Sequence, residues 1–437
     1  MQYCHKASVT VFVSLSLSTF IMLILTMIFL CIDNGKRIRF DGITDIAMNS
    51  VLGEYSKSLY DEFGLLYLDA SYLGMTPGVE NIRARIMKYF GENANNNQNQ
   101  GLFIGSLGLN EADIAGIQSA CSKDGESLRS QIGHYLNDSR HFNNLLGNVN
   151  CDAVSSYLDI DVLGDFRALM ESIEGMELPK LENPETGILE EVPLDNPAEE
   201  VFSQIGCDIL YLTNADLSSL TNITVDTGNL ISHKSPTNTC ALGEFEHIDN
   251  VRFSEYIFEK MGRFRHNRNH LLTCECEYIV CGHETDLKNL SDMANRIFAV
   301  TLAQNYMKDQ SDSGLKAMAY ATATALAVCT LSPEFIEPVA KSIVYAHTFT
   351  ESVKDMNEIM NGGSGKAGIT YDEFLGAFLI LTDEVTMNFR TMDLMEMQVR
   401  KDTMNQNFSM DWCIERLKIH ITGGPGNYNI NRTYGYY

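Results

Sequence analysis

Residues 7–32, ASVTVFVSLSLSTFIMLILTMIFLCI, form an unbroken uncharged run, and it limits what this chain can fold into more than any other feature. As a helix rising about 1.5 Å per residue, the run exceeds the roughly 20 residues that cross a hydrocarbon core. A cleaved secretory signal has an apolar stretch of about 7 to 15 residues and a small-x-small exit. Here the run ends in Leu30, Cys31, Ile32 and Asp33. It reads as a membrane anchor, which predicts a single-pass protein in contact with the lipid bilayer and with nearly all its mass on one side. Residues 317–331 are the next most apolar stretch; they are too short to span and read as a buried helix. Lys6 and the terminal amine flank one end of the run, and Lys36, Arg37 and Arg39 flank the other. Positive-inside counting alone places the body in the cytoplasm, but large domains translocate regardless of such bias.

The roughly 400 residues beyond Ile32 suffice for one large domain or two to three ordinary ones. A formal charge of −25, from 32 basic and 57 acidic residues, opposes nucleic-acid binding, which needs a concentrated basic surface. Eleven cysteines in a chain of this size do not make a disulfide scaffold; mostly free or buried thiols with a few bridges are expected.

The fold class predicted is α+β and helix-rich: residues 1–6 precede the anchor, and the helix of residues 7–32 continues into an extended helix with a mixed body beyond. Phe40, Ile43, Ala47, Val51, Tyr55, Leu59 and Phe63 recur at steps of three and four, which predicts a juxtamembrane amphipathic helix over residues 33–63. Gly35 and Gly42 loosen it, and Gly64 stops it before a strand-like 65–68. Residues 64–170 form the N-terminal part of the body, with helices at 82–90 and 119–136, a polar loop at 91–101 and a strand at 101–109. Residues 171–200 hold four of the nine prolines and ten carboxylates against one lysine, and read as an exposed linker or insertion. The remainder, 201–437, is helix-rich: a strand at 272–280, helices at 286–307, 314–331, 333–361 and 371–400, a glycine connector at 362–368, and strands in the tail from Ile421.

The order of these segments resembles a known group. The opening 67 residues from Lys6 resemble the start of TadE/TadG-like proteins associated with tight-adherence (Tad) pilus systems, in particular a large uncharacterised family of Gram-positive anaerobes. Further elements match at Glu277, Tyr278, Ile279, Gly282, Asp286, Asn289 and Leu290; at Glu351, Ser352 and Asp355; and at Tyr371, Glu373, Phe374 and Leu375. Met392, Asp393 and Leu394, and then Met410, Asp411, Cys413 and Ile414, complete the pattern; residues 151–200 do not align. The resemblance implies a cytoplasmic N-terminus, an extracytoplasmic body at the cell membrane, and a role in or beside a Tad-like pilus or secretion apparatus whose components the N-terminal helix contacts. It brings no established activity. Pilin-like processing uses a small residue before the cut and a glutamate five positions on; Ala7 supplies the first, but Phe12 stands in place of the second.

For chemistry, His266, His270, Cys274, Cys276, Cys281 and His283 lie in one short segment and are zinc- or copper-binding residue types. On a strand over 272–280, Cys274 and Cys276 share one face and Glu275 and Glu277 the other, so buried thiols are the plainer explanation. Asp69-Ala70-Ser71 resembles the opening of a metal-dependent adhesion site, with Leu73 where a second serine belongs. Gly365-Lys366 resembles a phosphate loop without its first glycine or its Ser/Thr, and reads as a flexible connector. Asp309, Ser311, Ser313 and Gly314 imitate a calcium loop whose closing glutamate is Tyr320. Arg263, Arg265 and Arg268 read as a solvated helix end, or as a contact for a phosphate-bearing polymer. No catalytic constellation emerges and no cofactor is expected, so the reading is a non-enzymatic membrane component. The alternative is a membrane-tethered enzyme or ligand-binding domain with a pocket of convergent polar groups.

Overall fold

The computed structural model describes residues 2–94, 107–138, 150–178, 180–183, 186–191, 196–330 and 332–436. The helices are α1 (Gln2–Leu52), α2 (Lys57–Phe63), α3 (Val79–Ala94), α4 (Ser122–Asp138), α5 (Cys151–Leu158), α6 (Val162–Glu174), α7 (Glu199–Phe202) and α8 (Ile209–Leu212). They continue with α9 (Asn250–Lys260), α10 (Glu275–Cys281), α11 (Asp286–Asp309), α12 (Ser313–Thr330), α13 (Ile336–Met360), α14 (Tyr371–Leu381) and α15 (Glu384–Thr403). The strands are β1 (Leu68–Asp69), β2 (Leu109–Ser119), β3 (Lys180–Glu182), β4 (Leu189–Glu191), β5 (Cys413–Gly423) and β6 (Tyr428–Gly435). The α+β, helix-rich class expected from the pattern is the one observed.

Two compact units result. The first joins residues 1–135, 234–247 and 395–437; the second joins 136–233 and 248–394. The division therefore does not fall at the acidic segment 171–200, which lies inside the second unit and carries the exposed hairpin β3–β4, with Lys180 opposite Glu191.

In the first unit α1 is one continuous helix. Among the described residues it is the only helix long and apolar enough to cross a membrane. Its side chains from Val9 to Leu30 are exposed, and Phe40, Ile43, Ala47, Met48 and Val51 are buried. The helix runs through Gly35 and Gly42 and ends at Leu52, so residues 33–63 are not a single helix: a turn at 53–56 separates α1 from α2. Gly64, left-handed at φ 74°, caps α2 as expected.

The buried half of α1 packs on Ile82, Ile86 and Phe90 of α3 and on an antiparallel sheet. In that sheet β5 pairs with β2 along one side and with β6 and the short β1 along the other. Phe40 meets the Phe90 and Tyr428 rings at 5.2 and 5.8 Å. Tyr428 Oη donates to Asp33 Oδ1 at 2.7 Å, and Arg432 pairs with Asp41 and Asp45, so β6 is tied to α1 beside its apolar core. A Cβ on Gly423 would come within 2.5 Å of the Gly108 carbonyl and 2.8 Å of the Phe40 ring; only glycine lets the strand approach α1 this closely. The expected strand at 101–109 falls largely outside the described residues; β2 begins at Leu109.

The second unit is built from helices. Leu315, Ala319 and Ala323 of α12 pack on Val339, Ala340 and Val344 of α13, and Phe166, Met170 and Ile173 of α6 cluster with Ala198 and Ala346. The stretch 317–331 is not buried all round: Met318, Tyr320 and Val328 face outward. The helix expected over 371–400 is two, α14 and α15, parted at Thr382 and Asp383. The strand expected over 272–280 is absent, and most of it is helix α10.

Candidate functional site

Residues 272–280 show how the second unit is held together. Alternating Cys, Glu, Cys, Glu suggests a strand, but the start of this segment is fixed by a distant carboxylate. Asp286 accepts from the backbone N–H groups of Thr273 and Cys274, both at 3.0 Å, and from Thr221 N and Oγ1 at 3.0 and 2.6 Å. Asp286 thus fixes the entry to α10, and Cys276 N in its first turn donates to the Gly262 carbonyl at 2.9 Å, so the short helix starts with acceptors supplied from outside it. Residues two apart on a helix point about 200° apart. Glu275 therefore turns to Gly262 N (2.6 Å) and His270 Nδ1 (2.7 Å), while Glu277 turns to Phe264 N (2.9 Å) and Tyr371 Oη (2.7 Å). Tyr278 donates to Asp393 Oδ2 at 2.9 Å, and Asp393 Oδ1 accepts from Ser232 N.

At the far end Gly282 is left-handed (φ 76°), and a Cβ there would lie 2.5 Å from the Arg390 guanidinium. That group donates to the Ile279 and Val280 carbonyls. Glu275, Glu277, Asp286 and Asp393 are all buried. Burial pushes the Glu277 carboxyl up to about 7 and raises Glu275 and Asp393, with His270 opposing the shift at Glu275.

The six candidate metal ligands are not brought together. His266 is exposed in a tight bend against Arg263; His270 is buried on Glu275; Cys274 and Cys276 are buried free thiols whose acidity burial suppresses. Cys281 and His283 lie beside Asp292, with His283 Nε2 at 3.2 Å from it. These six form no three-ligand group. The nine cysteines whose side chains are described are all free, so the expected bridges are not seen among them.

Other candidates are used internally. Asp69 accepts from Ser71 N and Oγ, both at 2.8 Å, and Asn405 donates to Ser71 Oγ at 2.7 Å. Asp309 accepts from Thr348 Oγ1, and Asp312 caps the start of α12. Arg263 forks onto Asp372 and stacks on Phe258, and Arg265 and Arg268 are exposed, Arg265 donating to the Met360 carbonyl; all three follow the end of α9 at Lys260.

The residues 362–368, read as a flexible connector, form a loop with hydrogen bonds of its own. Ser364 bridges to Thr370, Gly368 N donates to Gly365 O at 2.7 Å, and Thr370 with Glu373 makes a reciprocal cap on α14. Beneath this loop is a cavity of about 140 Å³ lined by Thr301, Asn305, Lys308, Asp355, Lys366 and Phe374, among others. Buried Asn305 donates to Ser352 Oγ at 3.0 Å and to Asp355 Oδ2 at 2.9 Å. Glu351 binds Lys366 and Lys354, which pull its carboxyl down to about 2. A more open depression of about 430 Å³ beside Arg167, Asp208 and Phe349 has its acid already engaged, since Asp208 holds Ser291 Oγ and Leu210 N.

A family model matches residues 189–364 and 361–424, just over half of the chain. The chain belongs to DUF5702, a family of unknown function. The DUF5702 match runs from β4 to just past β5, and so contains α10, its four buried carboxylates and the cavity under the 362–368 loop; α1 lies outside it. Membership of an uncharacterised family is as the sequence led one to expect; the match carries no TadE/TadG or Tad association. No curated protein and no solved structure matches the chain.

Proposed function

We propose that this protein is a membrane-anchored, non-enzymatic component of a Tad-like pilus or secretion apparatus, with its N-terminus in the cytoplasm and its body outside. The observation that carries this reading is the continuity of α1. Its exposed apolar half, residues 9–32, is about 36 Å long as a helix, enough for a hydrocarbon core of about 30 Å. The Ser14, Ser16, Ser18 and Thr19 hydroxyls bond back to helix carbonyls, which leaves no polar group of theirs open to lipid. The same helix then supplies Phe40 to Val51 to the core of the first unit. An anchor that is also a core element transmits force and orientation between membrane partners and body, which a flexible tether does not. The order of segments shared with TadE/TadG-like proteins supports the specific assignment.

Photo-crosslinking from Phe12 and Phe29 in the native membrane tests it. Adducts with Tad-type membrane components are expected; a chain recovered alone, or released by an alkaline wash, contradicts the reading.

A further inference from the structure

The cavity under the 362–368 loop carries both signs of charge on small walls. Asp355 is only 3 % exposed and uses Oδ2 for Asn305, while among the described residues Oδ1 has no hydrogen-bond partner. Lys366 reaches the cavity from the loop and ion-pairs with Glu351, not with Asp355. Lys308 on α11 also lines it and has no ion-pair partner among the described residues, and the Gln304 amide is likewise unengaged. Burying a carboxylate and leaving one oxygen on a cavity wall is costly unless a donor fills that place. The volume equals about four to five waters at roughly 30 Å³ each, too small for a drug-sized molecule or a nucleotide.

We propose that this cavity binds a small zwitterion, a free α-amino acid with a short side chain, its ammonium on Asp355 and its carboxylate between Lys366 and Lys308. A simple anion meets Asp355, and a simple cation meets two ammonium groups, so a ligand carrying both charges complements the walls where either alone does not. The Asn305–Ser352 bond fixes the Asp355 carboxyl through Asn305, so the site is preorganised on two helices and not on the loop alone. Glu351, Ser352 and Asp355, three neighbours on one turn of α13, thereby acquire a joint role: one holds the lysine, one the amide, and one faces the ligand. This goes beyond the proposed membrane role and stands or falls independently of it.

The test is calorimetric titration of the full chain in mild detergent with glycine, L-alanine, acetate, methylammonium and inorganic phosphate. Glycine or alanine is expected to bind, with acetate and methylammonium each about tenfold weaker or worse, as loss of one charged hydrogen bond implies. Asp355→Asn and Lys366→Gln are each expected to weaken the amino acid by about tenfold. Lys308→Gln changes an exposed residue and keeps the test open if Asp355→Asn does not fold; it too is expected to weaken binding. No binding by either amino acid overturns the proposal. So does acetate or phosphate binding as tightly as glycine, or amino-acid affinity unchanged in all folded variants.

Discussion

Between Phe40 and Leu52, α1 turns Phe40, Ile43, Ala47, Met48 and Val51 into the core of the first unit, whereas α10 enters the second unit with Glu275 and Glu277 in its first turn. Both helices are buried, by opposite means. Contacts of α1 are apolar and non-directional, and their strength scales with the area removed from water. Besides its buried Cys276, Tyr278, Ile279 and Val280, α10 is held by hydrogen bonds that the buried carboxylates Glu275, Glu277, Asp286 and Asp393 accept, so its position is set by partners at defined atoms: Gly262, Phe264, His270, Tyr371, Thr273, Cys274 and Tyr278. An apolar helix end tolerates adjustment; a carboxylate joint that slips by one residue leaves a buried charge without donors.

Substitutions that break this contrast are ranked by expected size. Leu23→Arg with Met27→Arg puts two charges one turn apart in the exposed half of α1, at a cost of about 5–7 kcal/mol for insertion. Membrane fractionation is expected to show loss of the chain from the bilayer. Phe40→Ala removes the ring between Phe90 and Tyr428 and is expected to cost about 3–5 kcal/mol of first-unit stability in urea unfolding, with membrane retention unchanged.

Glu277→Gln tests the polar joint, because it keeps an acceptor for Phe264 N and Tyr371 Oη without the charge. The Glu277 carboxyl is raised by burial from 4.5 to about 7 in the folded protein. The folded state therefore holds a proton that the unfolded state has released between those pH values. The stabilising contribution is full below about pH 4.5 and is lost as pH rises through 7, about 3 kcal/mol in total. Urea midpoints at pH 5 and pH 8 are expected to diverge in the parent and to diverge less in Glu277→Gln, where the raised Glu275 and Asp393 carboxyls still contribute; equal divergence in both would refute this role of Glu277. Gly42→Ala is the smallest test. Gly42 lies in the helix with open space around it, so the change is expected to stabilise the first unit by about 0.5–1 kcal/mol in the same unfolding assay.

The contrast also explains what could be read from the sequence. The run 7–32 and the stripe Phe40, Ile43, Ala47 and Val51 are periodic, and periodicity survives folding because apolar burial needs only a face. The end of α1 at Leu52 was less legible, since Tyr55, Leu59 and Phe63 continue the spacing across the turn at 53–56. Helix α10 reads as a strand in the sequence because its cause lies elsewhere: Asp286 accepts the Thr273 and Cys274 N–H groups that lead into it, and no local pattern announces this. The grouping of six His and Cys residues was real in sequence but not in space, since His270 and Cys276 turn to separate neighbours. The cavity under the 362–368 loop was invisible for the same reason. In sequence Lys366 belongs only to an incomplete phosphate motif, and Asn305 and Lys308 carry no local pattern; the packing of α11 on α13 is what brings them to one cavity.

Helix α1 runs without a break from its exposed apolar half into the core of the first unit. Spin labels placed through non-cysteine chemistry at Ser18 and Ile46, both exposed, measure it directly in reconstituted bilayers. Twenty-eight helical residues give a separation of about 42 Å between the backbones. The account predicts a single narrow distance distribution near that value. A broad distribution, or one centred well below it, would show a hinge near Gly35 or Gly42 and contradict the account.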